Sequence, residues 1–204
     1  MPRPSNTSRG RVIMKVISGV SAGFADGLFS KVSSYRYKVF VEALGWELQT
    51  QNGIELDQFD RPDTVYVVSQ DDDGTINGCA RLLPTHRPYL LGEIFPQLLN
   101  GQTPPKTPDI WELSRFAAVD FNNRASSALG QFSSEIAVSL LKKSIVCAAE
   151  LGAKRIITVS PLGVERLLRR AGFHSHRAGP PMIIGDHPIV ACWIDIDANM
   201  TEAC

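Results

Sequence analysis

Glu112 and Arg115 stand three residues apart in the run WELSRF, an acid and a base within an otherwise apolar stretch. Glu112 is flanked by Trp111 and Leu113, so its carboxylate is expected to be partly desolvated and its pKa raised, as a general base for an amine requires. In a strand, residues 112 and 114 share one face and residue 115 points to the other, unless a bulge intervenes. A structural ion pair accounts for the two residues equally well. A second constellation is Arg36, Phe40 and Trp46. Arg36 and Phe40 are four residues apart and share one face of a helix. A guanidinium holds a carboxylate bidentately, and a neighbouring aromatic face receives a cation or a flat heterocycle. An amphipathic core helix with a solvated arginine is the plainer alternative.

Asp57 and Asp60, in ELDQFDRPD, can bind a cation, pair with arginines or stand in solvent. Arg81 lies within the apolar run GCARLLPT and therefore needs a partner; the two aspartates are candidates. Basic residues gather late in the chain: Lys154, Arg155, Arg166, Arg169, Arg170 and Arg177, against Glu165. Arg166, Arg169 and Arg170 fall at helical neighbour spacing, a pattern that attracts phosphate or an acidic protein but that an ordinary solvated helix face also produces. His174 and His176 would share a strand face, yet no cysteine or carboxylate stands nearby at ligand spacing, so no metal is expected. His86 and His187 are isolated and read as structural or exposed. The chain carries neither a glycine-rich phosphate loop nor a G-x-S-x-G elbow.

The elements that must position these groups follow from periodicity. Residues 11–18 read as a first strand, and Phe24 to Leu44 as a helix stopped by Gly45. Residues 47–62 read as a loop. TVYVVSQ, DDDG and TINGCARLLPT form a hairpin. A short amphipathic helix interrupted by Pro96 precedes the strand IWELSRFAAV, and DFNNRASSALG is loop-like. Residues 131–151 are strongly helical, KRIITVSP is a short buried strand, VERLLRRAG a helix and HPIVACWIDID a closing strand. This order implies an α/β fold, a three-layer αβα sandwich with a mixed central sheet.

The 204 residues suffice for one domain with a sizeable core, and no linker divides them. We expect a disordered lead-in over 1–11, with Met14 as an alternative first residue, and a single domain over 12–204. Lys+Arg and Asp+Glu balance at 21 each, which argues against a nucleic-acid partner. No run reaches the length of a membrane span, and the basic start lacks the apolar core of a secretory signal. Cys79, Cys147, Cys192 and Cys204 follow no metal or redox spacing, which fits a reducing cytoplasm.

Taken together, these residues resemble the LuxI-type acyl-homoserine-lactone synthases. RYKVFVEALGW, with Arg36, Phe40 and Trp46, looks like the opening motif of that family. DQFDRPD matches its paired aspartates, GCARLLPT supplies Arg81, Phe95 falls where the family carries an aromatic, and WELSRF supplies Glu112 and Arg115. The resemblance runs from about residue 12 to residue 197 and is densest over 36–116. It implies a fold similar to the GNAT acyltransferases. The Q/R-x-x-G-x-G/A loop of acetyl-CoA users is missing, as in an enzyme served by a carrier protein.

The resemblance further implies that S-adenosylmethionine and an acyl-acyl-carrier protein are the substrates, with methylthioadenosine released and no cofactor or metal required. Arg36, Phe40, Trp46, Asp57, Asp60 and Arg81 would bind S-adenosylmethionine. Glu112, with Arg115, would take a proton from its amine, directly or through a water. Backbone N–H groups near 115–117 would stabilise the oxyanion. Phe95, Thr158, Ser160 and Val164 would line the acyl pocket, and Lys154, Arg166, Arg169 and Arg170 would meet the acidic carrier protein. A GNAT-type N-acyltransferase using acyl-CoA and another amine is the alternative. A non-catalytic sensor has no need to keep Glu112 and Arg115 together.

Overall fold

A computed structural model of the chain describes residues 14–25, 27–123, 127–128 and 130–196; the expected lead-in over 1–11 and Cys204 lie outside them. Strand β1 (Lys15–Val20) forms one edge of the sheet and pairs antiparallel with β4 (Val65–Gln70). Helix α1 (Leu28–Arg36) starts later than the Phe24 that periodicity indicates, and from Tyr37 to Ala43 it widens into a π-helix. There the Leu44 N–H reaches back to the Val39 carbonyl at 3.0 Å, and that of Trp46 to Phe40 at 2.9 Å. Such wide turns recur at functional sites because they re-aim side chains. The helix stops where Gly45 takes φ 70°, a left-handed conformation. The stretch expected to be a plain loop holds a two-residue ribbon, β2 (Thr50–Gln51) with β3 (Ile54–Glu55).

The expected hairpin is β4 with β5 (Ile76–Pro84), and α2 (Leu90–Ile94) gives way to a short 3-10 turn at Pro96. Strand β6 (Ile110–Ala117) is followed by α3 (Glu135–Glu150), whose first turn is capped by Ser134 Oγ accepting the Ala137 N–H at 3.1 Å. Then come β7 (Arg155–Pro161), α4 (Leu162–Arg170), β8 (Ser175–Arg177), β9 (Met182–Ile184) and β10 (His187–Asp195). Periodicity does not separate the short β8 and β9 from their surroundings. His176 lies in β8, and His174 just before it.

Along the main sheet the order is β1-β4-β5-β6-β7-β10-β8, with β9 on β10. Among the described residues β6–β7 is its one parallel pair, so the sheet is mixed. Alternate residues feed opposite faces: Val65, Val67, Leu82 and Leu113 pack under α3 and α4, whereas Tyr66, Val68 and Cys79 pack under α1. Leu83, Ile157 and Ala191 meet α2 on the α1 side. The expected αβα layering is therefore observed. Leu113 of β6 and Leu140 of α3, both fully buried in this core, contribute on the order of 1.5–3 kcal/mol each. Among the described residues no helix is long and apolar enough to cross a membrane.

Two irregularities in the sheet shape the surface beneath α1 and α2. Between Cys79↔Ala117 and Arg81↔Ser114 the register of β5 and β6 shifts, so Arg115 and Phe116 oppose Ala80 alone, and Arg115 takes φ 50°. This bulge turns Arg115 onto the same face as Glu112 and Ser114, where plain alternation would have placed it opposite. The parallel pairing of β6 and β7 ends at Leu113↔Thr158, although β7 continues to Pro161 against β10. Beyond that point the two strands part.

Candidate active site

Three arginines and three carboxylates interlock on the α1 face of the bulge. Arg36, at the end of α1, donates from Nε to Glu55 at 2.6 Å and from Nη1 and Nη2 to Asp60 at 2.7 and 3.0 Å. Arg81 donates from Nη1 to Asp57 at 2.6 Å and Asp60 at 2.9 Å, and from Nε to Ser114 Oγ at 3.1 Å. Arg115 closes the ring, its Nη2 2.9 Å from both Glu55 Oε1 and Asp57 Oδ2. The formal charges cancel, and both Arg36 and Arg81 are fully buried. Burial opposes the charge on Arg36, but Asp60 and Glu55 outweigh it and hold the guanidinium protonated. Burial likewise opposes ionisation of Glu55 and Asp60; the arginines overcome it and hold both below the usual carboxylate range. The Tyr66 hydroxyl donates to Asp60 and adds to this pull.

Asp57 and Asp60 are thus the partners that Arg81 required. Glu55 is a member that sequence reasoning missed. A signal for it existed, since Glu55 stands between Ile54 and Leu56, the same flanking pattern that singled out Glu112.

Beside this layer a cavity of about 610 Å³ opens where β6 and β7 part. Its size suits a small-molecule site. On the α1 side of the sheet stand Phe40, Trp46, Asp57 and Arg115; at the other end Phe116 and Phe132, which belong to the core under α3 and α4, make an apolar wall. Trp46 lies 5.0 Å from the Phe40 ring, and the Arg115 guanidinium lies 5.7 Å from Phe40. Arg115 is the arginine of the network that reaches the cavity; Arg36, Asp60 and Arg81 stand behind it. Of the expected acyl-pocket residues, Phe95 and Ser160 line the cavity. Thr158 and Val164 are buried away from it, and the Thr158 hydroxyl lies 2.6 Å from that of Ser160. Thr158 and Ser160 point the same way along β7, but the splay exposes only the position beyond the last β6 pair.

Glu112 is fully buried and does not line the cavity. Its Oε2 accepts the Leu91 N–H at 2.6 Å, holding the first turn of α2, and its Oε1 has no hydrogen-bond partner. Burial raises its pKa; the Leu91 amide, Arg81 and Ser114 pull part of that rise back. The expected desolvation is therefore present. Two further cavity residues were missed. The His187 ring lies 5.8 Å from that of Trp46, and buried Gln131 accepts the Ala118 N–H at 2.7 Å while donating to the Ala128 carbonyl at 2.8 Å. Neither lies in a pattern that would have marked it.

Arg166, Arg169 and Arg170 are exposed on α4, while Glu165 pairs with Arg177 at 2.8 Å. Lys154 is exposed at the opposite end of β7 from the start of α4, and Asp109 stands 3.5 Å from its ammonium. Cys79, Cys147 and Cys192 are buried free thiols. Among the described residues no group of three or more His, Cys, Asp or Glu is arranged to hold a metal ion.

The family model described as Autoinducer synthase matches residues 25–204. The acyl-homoserine-lactone synthase of Acinetobacter nosocomialis is 60% identical over 183 residues, covering 90% of this chain and all of that protein. Among solved structures, TofI in a ternary complex with an inhibitor and MTA superposes with a TM-score of 0.79 at 44% identity, over 93% of this chain and 95% of that one. BjaI, a CoA-dependent acyl-homoserine lactone synthase solved with SAM and isopentyl-CoA, gives 0.77 at 25% identity, over 94% and 87%. An acyl-CoA N-acyltransferase from Pseudomonas aeruginosa shares the fold, with a TM-score of 0.60 at 14% identity over 89% and 99%.

Proposed function

This chain belongs to the autoinducer synthase family and is an acyl-homoserine-lactone synthase, and on that premise we propose that it joins S-adenosylmethionine to the acyl group of an acyl-acyl-carrier protein and releases methylthioadenosine. The observation that carries the reading is a single cavity with a charged, aromatic end and an apolar end, opened by the parting of β6 and β7. Arg115 holds the methionine carboxylate, and Trp46 with Phe40 faces the sulfonium or the adenine. Arg36, Asp60 and Arg81 act from behind by fixing Glu55, Asp57 and Arg115. Their donors are already engaged within the ring.

The amine of S-adenosylmethionine gives up a proton, through a water, to Glu112, whose Oε1 is the unengaged acceptor nearest in chemistry to this task. The amine nitrogen then attacks the thioester carbonyl. The new C–N bond forms as the C–S bond breaks, and the pantetheine thiolate leaves and takes up a proton. Backbone N–H groups at the bulge steady the oxyanion. The methionine carboxylate oxygen next displaces methylthioadenosine from its own γ-carbon and closes the lactone, a step made fast by tethering. Both leaving groups are already activated, so this chemistry calls on no redox cofactor. The exposed arginines of α4 receive the acidic carrier protein, and both substrates place the reaction in the cytoplasm.

Mass spectrometry of purified protein mixed with S-adenosylmethionine and matched acyl donors tests the reading. Lactone and methylthioadenosine should appear in equal amounts, and faster from acyl carrier protein than from acyl-CoA. Equal rates from both donors would remove the carrier protein from the proposal, and an acylated product without methylthioadenosine would remove the lactone.

A further inference from the structure

The apolar end of the cavity is walled by Phe116 and Phe132, whose rings stack 6.3 Å apart at 22°. Behind Phe132, and outside the cavity lining, lies Gly163, the second residue of α4. A Cβ at Gly163 would stand 2.4 Å from Phe132 Cδ2 and 3.1 Å from Cε2, closer than such atoms approach. Nothing in the backbone asks for glycine here. Gly163 is not among the residues of positive φ, and alanine is the better helix former. The approach of the Phe132 ring is what excludes a side chain.

We propose that the contact between Gly163 and Phe132 sets how long an acyl chain the cavity accepts, with Gly163 as a specificity-determining position outside the cavity wall. A side chain at 163 must displace the ring, because residues on both sides of Phe132 are tied through their side chains. Gln131 is bonded to Ala118 and Ala128, and Ser134 caps α3. The open volume bordering the ring is the cavity itself. The ring therefore turns inward, and the apolar end shortens without loss of any polar contact. This rests on the reading that the acyl chain occupies that end.

The test is the rate constant kcat/KM over a series of saturated acyl donors of increasing length, with S-adenosylmethionine saturating. Gly163→Ala should lower the value for the longest chain the wild type accepts by about tenfold or more, the discrimination a displaced methylene carries in an apolar pocket. The shortest chains should stay within about twofold. Gly163→Ala/Phe132→Leu should recover the long chain, and Phe132→Leu alone should move the preference to longer ones. An unchanged profile in Gly163→Ala and in Phe132→Leu would overturn the proposal. So would a uniform loss over all lengths with a lowered Tm, which would make the contact one of packing alone. A wild type that forms no lactone from any donor would instead sink the functional reading on which the proposal stands.

Discussion

The two ends of the cavity are held by opposite physics. At the charged end every guanidinium has at least two carboxylate or hydroxyl partners, and the layer is closed to solvent except through Asp57 and Arg115. At the apolar end Phe116 and Phe132 are held by shape alone, and the nearest constraint is a missing methyl at Gly163. A buried ion network is all-or-none, because removing one member strands the charge of another in a low dielectric. An apolar wall is graded, because a ring can turn. The first end suits an invariant headgroup; the second suits a chain whose length is a matter of degree.

The largest expected effect breaks the charged end. Arg36→Met leaves Asp60 and Glu55 buried with less countercharge and should cost about 3–5 kcal/mol in urea unfolding. A loss below about 1 kcal/mol would make this layer as forgiving as the apolar one. Glu112→Gln should lower kcat by about a hundredfold or more while the urea midpoint at neutral pH does not fall, since the amide oxygen can still accept the Leu91 N–H and no buried charge remains to be desolvated. Wild-type turnover would move the base elsewhere.

Acid titration should separate carboxylates of opposite sign. Glu55 and Asp60 have depressed pKa values, so their stabilisation is fully present above the usual carboxylate range and is lost as pH falls through their folded values. Glu112 has a raised pKa, so its ionisation costs stability at neutral pH, a cost relieved as pH falls. Urea unfolding across a pH series should show the net loss only below about pH 4, and a flatter acid limb in Asp60→Asn. The smallest effect concerns charges in neither end. Reversal of Arg166 and Arg170 to glutamate should raise KM for the carrier substrate and flatten its salt dependence, each exposed charge being worth about 1 kcal/mol or less. An unchanged KM would return α4 to an ordinary solvated face.

Much of this was legible in the chain. Periodicity found the hairpin of β4 and β5, helix α3 and the closing strand, because alternation and helical spacing are local properties of a buried face. Arg81 announced a partner simply by being charged within an apolar strand, and Asp57 and Asp60 proved to be that partner. The π-helical turn after Arg36 was not legible, because it is set by which main-chain carbonyl each N–H reaches and not by the type of side chain. Thr158 and Val164 were assigned to a pocket they do not reach, since which face of β7 is open depends on where β6 leaves it.

By itself, then, the order of residue types determined the layers, the membership of most of the charged group and the family to which the chain belongs. Only the tertiary structure decided which of those residues meet the cavity. Arg115 reaches it because a bulge turned it onto the face of Glu112, while Glu112 is withdrawn to hold α2. Such choices depend on how non-adjacent strands register and part, and no window of sequence contains both strands.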